Sequence, residues 1–180
     1  MFPDAIEKWR LEVQTQIERV LDAYPYRKTL LDTLGVTIDR LVDIILAIIQ
    51  KESYGDSNAI GDQGRSIGLM QLNYGAGTPQ NQGYTGTADG LKDPATNIFI
   101  GVKYFLWQLN RYNDVEDAIS AYNAGSSTDS NVANYVDVVL GFIGEKKTSL
   151  PPARSSSDYT FSGVVTLADG KRYKVTIEKV

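Results

Sequence analysis

The sequence of 180 residues contains no cysteine and no histidine. The absence of cysteine excludes disulfide bonds and thiol nucleophiles, and the absence of both residue types excludes zinc sites built from them. Catalytic triads that depend on histidine are excluded as well. Any chemistry performed by this chain must therefore use carboxylates, hydroxyls, amides or tyrosines, and we expect no cofactor.

Long apolar runs and an excess of positive charge are also missing. The most apolar run, residues 41–49, contains Asp43 and is far shorter than the roughly 20 residues of a membrane-spanning helix. The formal net charge of −4 argues against nucleic-acid binding, which needs a clustered basic face. The N-terminus lacks the basic start and apolar stretch of a secretory signal peptide. We therefore expect no membrane span, no nucleic-acid partner, and delivery by other means if the protein acts outside the cytoplasm.

Apolar residues at helical spacing indicate that most of the chain is helical. The pattern predicts an amphipathic surface helix over residues 3–24 and a buried central helix that begins after Thr37. Residues 54–92 are rich in glycine and read as loops over one face of the domain. The predicted helices cover residues 3–24, 26–34, 38–50, 94–110, 115–122 and 132–143. The sequence therefore predicts a mainly α domain over residues 1–147.

The composition changes after Lys147. Residues 148–158 are rich in proline and serine and are predicted to form a linker. Residues 159–180 show the alternation of a β-hairpin, and an odd-numbered loop would place the apolar residues of both strands on one face. Because a lone two-stranded hairpin is marginally stable in water, we expect it to dock on the helical domain, on a second copy or on a protein partner.

Glu52 is the first candidate for a catalytic residue. It follows an apolar helix and precedes the glycine-rich loops, and a carboxyl held against apolar neighbours has a raised pKa that suits a general acid. Taken alone, a glutamate at a helix end is more often a solvated surface residue. The segment 68–71 (GLMQ) and the segment 121–125 (AYNAG) are equally ambiguous, because they also read as a packed connector and a helix C-terminus.

The joint occurrence of these motifs resembles the soluble lytic transglycosylase and goose-type lysozyme family, which cleaves peptidoglycan. The resemblance covers residues 38–140. It rests on Glu52-Ser53, then Gly68-Leu69-Met70-Gln71, then Asp93-Pro94 with Asn97, Gly101 and Tyr104, then Ala121-Tyr122-Asn123-Ala124-Gly125. It implies a lysozyme-like α domain of the α+β type with little sheet, a catalytic core at about residues 38–143, and glycan strands of peptidoglycan as the binding partner.

The resemblance also implies roles for single residues. They are Glu52 as the catalytic acid/base, Ser53 as its support, Tyr122 as a hydrogen-bond donor to the carboxylate, Met70 and Gln71 as groove-lining residues, and Asn123 as a contact to an N-acetyl group. Tyr104 is a candidate for stacking on a sugar face. In the lytic transglycosylases of this family, the bond between N-acetylmuramic acid (MurNAc) and N-acetylglucosamine (GlcNAc) is cleaved with a 1,6-anhydro product and without water. The protein would then be a lyase that acts on the bacterial cell wall in the periplasm or outside the cell, with association with a virion as one route of delivery.

Two other functions remain open from the sequence. Goose-type lysozymes carry acidic residues at the positions of Asp62 and Asn73, so a glycosidase that uses Glu52 and Asp62 is the first alternative. A non-catalytic glycan-binding module is the second. A calcium loop beginning at Asp56 is rejected, because its fifth and twelfth positions are isoleucines, and no metal is expected.

Overall fold

The computed structural model describes residues 1–125, 133–146, 161–166 and 172–177. The chain divides into two compact units, Met1–Lys147 and Thr148–Val180. Helices dominate the first unit and are joined by one small antiparallel sheet, so the predicted lysozyme-like, mainly α fold is confirmed. None of the described helices is both long and apolar enough to cross a membrane.

The helices of the first unit follow their local sequence signals closely. They are α1 (Asp4–Glu7), α2 (Arg10–Ala23), α3 (Tyr26–Leu34), α4 (Ile38–Ser53), α5 (Thr78–Asn81), α6 (Pro94–Tyr112), α7 (Val115–Ala124) and α8 (Ala133–Phe142). The Thr37 and Asp93 side chains cap α4 and α6 by accepting a hydrogen bond from a backbone N–H three residues later. Gly35 ends α3 in the left-handed conformation, so the helix stops at residue 34 as the predicted range 26–34 has it.

The expected single helix over residues 3–24 is wrong in one respect, because the structure divides it into α1 and α2. The chain tightens at Trp9, whose backbone N–H donates to the Ile6 carbonyl three residues back. The Trp9 indole N–H donates to the Gly55 carbonyl at 3.1 Å. This contact with a distant residue fixes the turn between α1 and α2, and the local helical pattern does not predict the contact.

Helix α4 lies at the centre of the first unit. It packs against α1, α2 and α8, while α6 packs against α2, α3 and α7. Every residue of α4 from Ile44 to Gln50 is buried, which explains why this helix is apolar nearly all round. The C-terminal end of α4 carries Glu52 and Ser53 out of this core.

The sequence predicted that the glycine-rich residues 54–92 form loops, but the structure also shows regular elements there. These residues contain α5 and three two-residue strands, β1 (Ile60–Gly61), β2 (Ser66–Ile67) and β3 (Leu72–Asn73), paired antiparallel in that order. The sheet forms because Ile67 and Leu72 bury their side chains with Leu91 and Ile100 in a second apolar cluster. Its hairpin between β2 and β3 holds residues 68–71 beside the end of α4.

The second unit contains an antiparallel pair, β4 (Phe161–Thr166) and β5 (Arg172–Ile177). Phe161 pairs with Ile177, and Val165 pairs with Tyr173. This register is the one expected from an odd number of residues between the strands. The predicted linker over residues 148–158 and the predicted hairpin loop lie outside the described residues.

Candidate active site

Glu52 lines a cleft and lies one residue before the end of α4. The Tyr135 hydroxyl, from α8, donates a hydrogen bond of 2.5 Å to Glu52 Oε1. Directly after Ser53 the chain turns at Tyr54, whose φ of 54° is left-handed and ends the helix. Helix α4 therefore presents the carboxyl, and α8 fixes its orientation.

Burial raises the pKa of Glu52 above its ordinary value. The hydrogen bond from Tyr135 and the charge of Lys51 act in the opposite direction and offset only part of this effect. A carboxyl in such surroundings keeps its proton to a higher pH than an exposed glutamate does. Glu52 is thus suited to donate a proton and to take one back.

The tyrosine bonded to Glu52 is not the one that the sequence indicated. The Tyr122 hydroxyl donates to the Met70 carbonyl at 2.8 Å, so the expected hydrogen bond from Tyr122 to the carboxylate is corrected to one from Tyr135. Tyr122 is nevertheless close enough for the Glu52 charge to raise its pKa, after the larger effect of burial. Tyr122 therefore holds the segment 68–71 through the Met70 backbone.

That segment, residues 68–71, is fixed by hydrogen bonds from three directions. The Met70 N–H donates to Asn97 Oδ1 at 2.8 Å, and the Met70 carbonyl accepts from Tyr122. The Ser53 hydroxyl donates to the Leu69 carbonyl at 2.8 Å, which ties the segment directly to the end of α4. Ser53 therefore holds the segment 68–71 against the C-terminal end of α4.

Met70 and Gln71 take different positions. The Met70 side chain is fully buried, and a Cβ added at Gly101 would lie 2.2 Å from its sulfur. The expectation that the Met70 side chain lines a glycan groove is therefore wrong, because it packs into the core against α6. Gln71, by contrast, lines the cleft. Its backbone has a left-handed φ of 44°, and its side-chain amide donates to the Gly68 carbonyl at 2.9 Å.

The cleft is a cavity of about 520 Å³. It brings together most of the residues that the sequence singled out, namely Glu52, Asp62, Gln71, Tyr104, Tyr122 and Asn123. Glu52 and Asn123 also line a second cavity of about 290 Å³, together with Lys51, Asn134 and Tyr135. The carboxyl of Glu52 is thus approached from two neighbouring spaces, an arrangement that suits an extended ligand running past it.

Asp62 shares the cleft with Glu52, but its carboxylate is already engaged. Its Oδ1 accepts from Arg65 Nη2 at 3.1 Å, and its Oδ2 accepts from Asn73 Nδ2 at 3.1 Å. Asn73, an amide, acts here as a donor to Asp62. Asn73 thus restrains the side chain of Asp62.

Tyr135 was missed by the sequence reasoning, which assigned it no role. It lies on the buried face of α8, where Val136, Val139 and Leu140 are also buried. A buried tyrosine hydroxyl usually needs a hydrogen-bond partner. A tyrosine on an apolar helix face therefore indicates a buried hydrogen bond, but the sequence does not show that its partner is Glu52.

The raised pKa of Glu52 makes the stability of the protein pH-dependent. Below the unfolded pKa of a glutamate both states hold the proton, whereas above it the unfolded state ionises first, and the folded state loses stability as pH rises. We expect Glu52→Gln to raise the melting temperature at neutral pH and to leave it unchanged below about pH 4. Thermal unfolding followed by circular dichroism at both pH values measures this, and an equal melting temperature at neutral pH would contradict it.

Comparison with known proteins bears on this geometry. The family model for the transglycosylase SLT domain matches residues 39–138. The match extends from α4 into α8, so it includes Glu52, the segment 68–71, Tyr122 and Tyr135. No curated protein matches the sequence.

Proposed function

Because the chain belongs to the transglycosylase SLT domain family, whose members are peptidoglycan lytic transglycosylases, we propose that it cleaves the MurNAc-β-1,4-GlcNAc bond with Glu52 as acid and base. The observation that carries this proposal is the partly buried Glu52 carboxyl, held by Tyr135 at the junction of two cavities. This geometry supports Glu52 as a single titratable group that serves both steps of the cleavage.

In the first step, protonated Glu52 donates its proton to the glycosidic oxygen as the bond from that oxygen to C1 of MurNAc breaks. Since Tyr135 donates to Oε1, we assign the transferred proton to Oε2. The carbonyl oxygen of the substrate acetamide stabilises the positive charge that develops at C1. Asn123, exposed at the cleft, is the proposed contact for this N-acetyl group.

In the second step, the C6 hydroxyl of the same MurNAc attacks C1 and forms the 1,6-anhydro ring. The hydroxyl proton passes to ionised Glu52, which restores the starting protonation state. No water is consumed, and no second carboxylate is needed. The substrate supplies both the stabilising group and the nucleophile, so a site without histidine, cysteine or metal ligands is sufficient.

A hydrolase that uses Asp62 is the second candidate, because Asp62 lines the same cleft as Glu52. A retaining hydrolase needs its carboxyl groups about 5 Å apart, and an inverting one needs about 6.5–9.5 Å. Both Asp62 oxygens already accept hydrogen bonds from Arg65 and Asn73, and the Asn73 amide is not a base. These contacts favour the anhydro product.

We expect 1,6-anhydromuropeptides as the main soluble product, and we expect Asp62→Asn to keep that product. Mass spectrometry separates the products, because an anhydro end is lighter than a reducing end by one water. Arg65→Gln is the control, since it also breaks the ion pair with Asp62 but leaves the carboxylate in place. Reducing-end muropeptides that disappear in Asp62→Asn and persist in Arg65→Gln would assign hydrolysis instead.

Action on the cell wall places the site of function in the periplasm or outside the cell. We propose a virion or a secretion apparatus as the route of delivery. The second unit, whose described part is the β4–β5 pair, is the proposed attachment surface for a protein partner or a second copy. A two-stranded sheet gains stability from such docking.

A further inference from the structure

A third cavity adjoins the cleft on the side of α6. Its volume is about 320 Å³, and it shares Thr78, Tyr104 and Gly125 with the cleft that contains Glu52. Shared lining residues make the two cavities one continuous surface. Trp107 and Arg111 line the third cavity and are absent from the lining of the cleft.

Trp107 is an unusual residue to leave in solvent. Its exposed fraction is 44%, whereas the other tryptophan, Trp9, is half-buried and bonded to Gly55. The Trp107 ring lies nearly parallel to the Tyr104 ring, with centroids 6.1 Å apart and an angle of 15°. The two side chains therefore form an aromatic shelf along α6 that begins in the cleft and continues outward.

Arg111 holds the outer edge of this shelf. Its guanidinium carbon lies 5.7 Å from the centroid of a Trp107 ring, and its Nη1 donates to the Gly125 carbonyl at 3.2 Å. The indole is therefore restrained by two neighbouring side chains, Tyr104 and Arg111. A ring fixed in this way loses little freedom when a ligand packs on it.

Gln108 supplies a buried polar side chain next to Tyr104. Its amide nitrogen donates to the Tyr104 hydroxyl at 2.9 Å and to the Ala121 carbonyl at 3.1 Å. Its Oε1 is buried and has no hydrogen-bond partner, although Gln108 lines the cavity. A buried acceptor without a donor is uncommon and is relieved by a water or a ligand that donates to it.

We propose that the shelf of Trp107 and Tyr104 binds one N-acetylhexosamine ring of the glycan strand, beyond the sugars flanking the cleaved bond. A pyranose ring has a face of C–H groups that packs on an indole, while its hydroxyls stay at the rim. Asn81 and Gln82 line the same cavity and supply polar groups for those hydroxyls. This inference rests on the proposed function and extends it, because the site would hold the polymer without touching the reacting atoms.

The direct test is affinity for an N-acetylglucosamine hexasaccharide, measured by isothermal titration in Glu52→Gln protein so that no cleavage occurs. Loss of the indole contact in Trp107→Ala should weaken binding by about tenfold, and Trp107→Tyr should restore most of it. Tyr26→Ala removes an exposed aromatic from α3, outside the cavities described above, and should change nothing. An unchanged affinity in Trp107→Ala overturns the shelf. Because alanine is the best helix former and position 107 is exposed, this variant is expected to fold.

Kinetics separate this inference from the proposed function. In Trp107→Ala with Glu52 intact, KM for peptide-free glycan strands should rise while kcat is kept, since the lost contact is equal in the ground and transition states. Cleavage with an unchanged KM refutes the shelf and leaves the function standing. Conversely, Trp107-dependent hexasaccharide binding by a wild-type protein that releases no muropeptides refutes the function and leaves the shelf standing.

Discussion

Replacing Glu52 with glutamine should reduce the turnover of peptidoglycan by about 100- to 10,000-fold without unfolding the protein. The amide has the shape of the carboxyl and can accept the hydrogen bond from Tyr135, but it can neither donate nor take up the transferred proton. The effect falls at the upper end of the range if the same group serves both steps. Release of soluble muropeptides from purified peptidoglycan measures the rate.

Glu18→Gln is the matched control for this substitution. Glu18 is an exposed residue of α2, and it is absent from the cavities that contain Glu52. The control should keep the wild-type rate, and Glu52→Gln should keep the affinity for the glycan hexasaccharide. A rate above about a tenth of wild type in Glu52→Gln would remove Glu52 as the acid/base.

The same pair of measurements addresses the non-catalytic alternative. A glycan-binding module would bind the hexasaccharide but release no muropeptides, even with Glu52 intact. Such a module has no chemical need for a carboxyl whose pKa is raised by burial, since an ionised group costs stability there. The position of Glu52 therefore favours catalysis.

Features set by short sequence signals could be predicted well. The Thr37 and Asp93 caps and the Gly35 stop are local, because each acts on backbone groups within one turn of helix. The helices α3, α4 and α6 accordingly begin or end close to the predicted residues. The central position of α4 could be predicted for a similar reason, since a helix that is apolar nearly all round must be covered on all sides.

Features set by contacts between distant residues could not be predicted. The division of the N-terminal helix depends on Trp9 reaching Gly55, and the orientation of Glu52 depends on Tyr135 reaching it from α8. Met70 shows the same limit, because its side chain is buried in the space that Gly101, which has no side chain, leaves for it on α6. Helical spacing predicts on which face of its helix a side chain lies, but it does not predict which residue of another element that side chain contacts.

Asn97 is the residue through which such distant contacts act most strongly. It lies fully buried on α6 and bonds three backbone groups of other segments. Its Oδ1 accepts from the Met70 N–H at 2.8 Å, and its Nδ2 donates to the Ile67 carbonyl at 2.9 Å and to the Leu91 carbonyl at 2.8 Å. One side chain therefore joins the sheet, the cleft segment and the start of α6.

Asn97→Asp should cost about 3–5 kcal/mol in the free energy of unfolding at neutral pH. The carboxylate still accepts from the Met70 N–H, but it cannot donate, so two buried carbonyls lose their donor and face a negative charge. Because protonation restores one donor, the deficit should shrink as pH falls. Asn110→Asp, at an exposed position of the same helix, is the control and should cost little. Urea unfolding at neutral and acidic pH measures both variants. A deficit that does not change with pH would show that the lost donor of Asn97, which bonds the Ile67 and Leu91 carbonyls, is not the cause of the deficit.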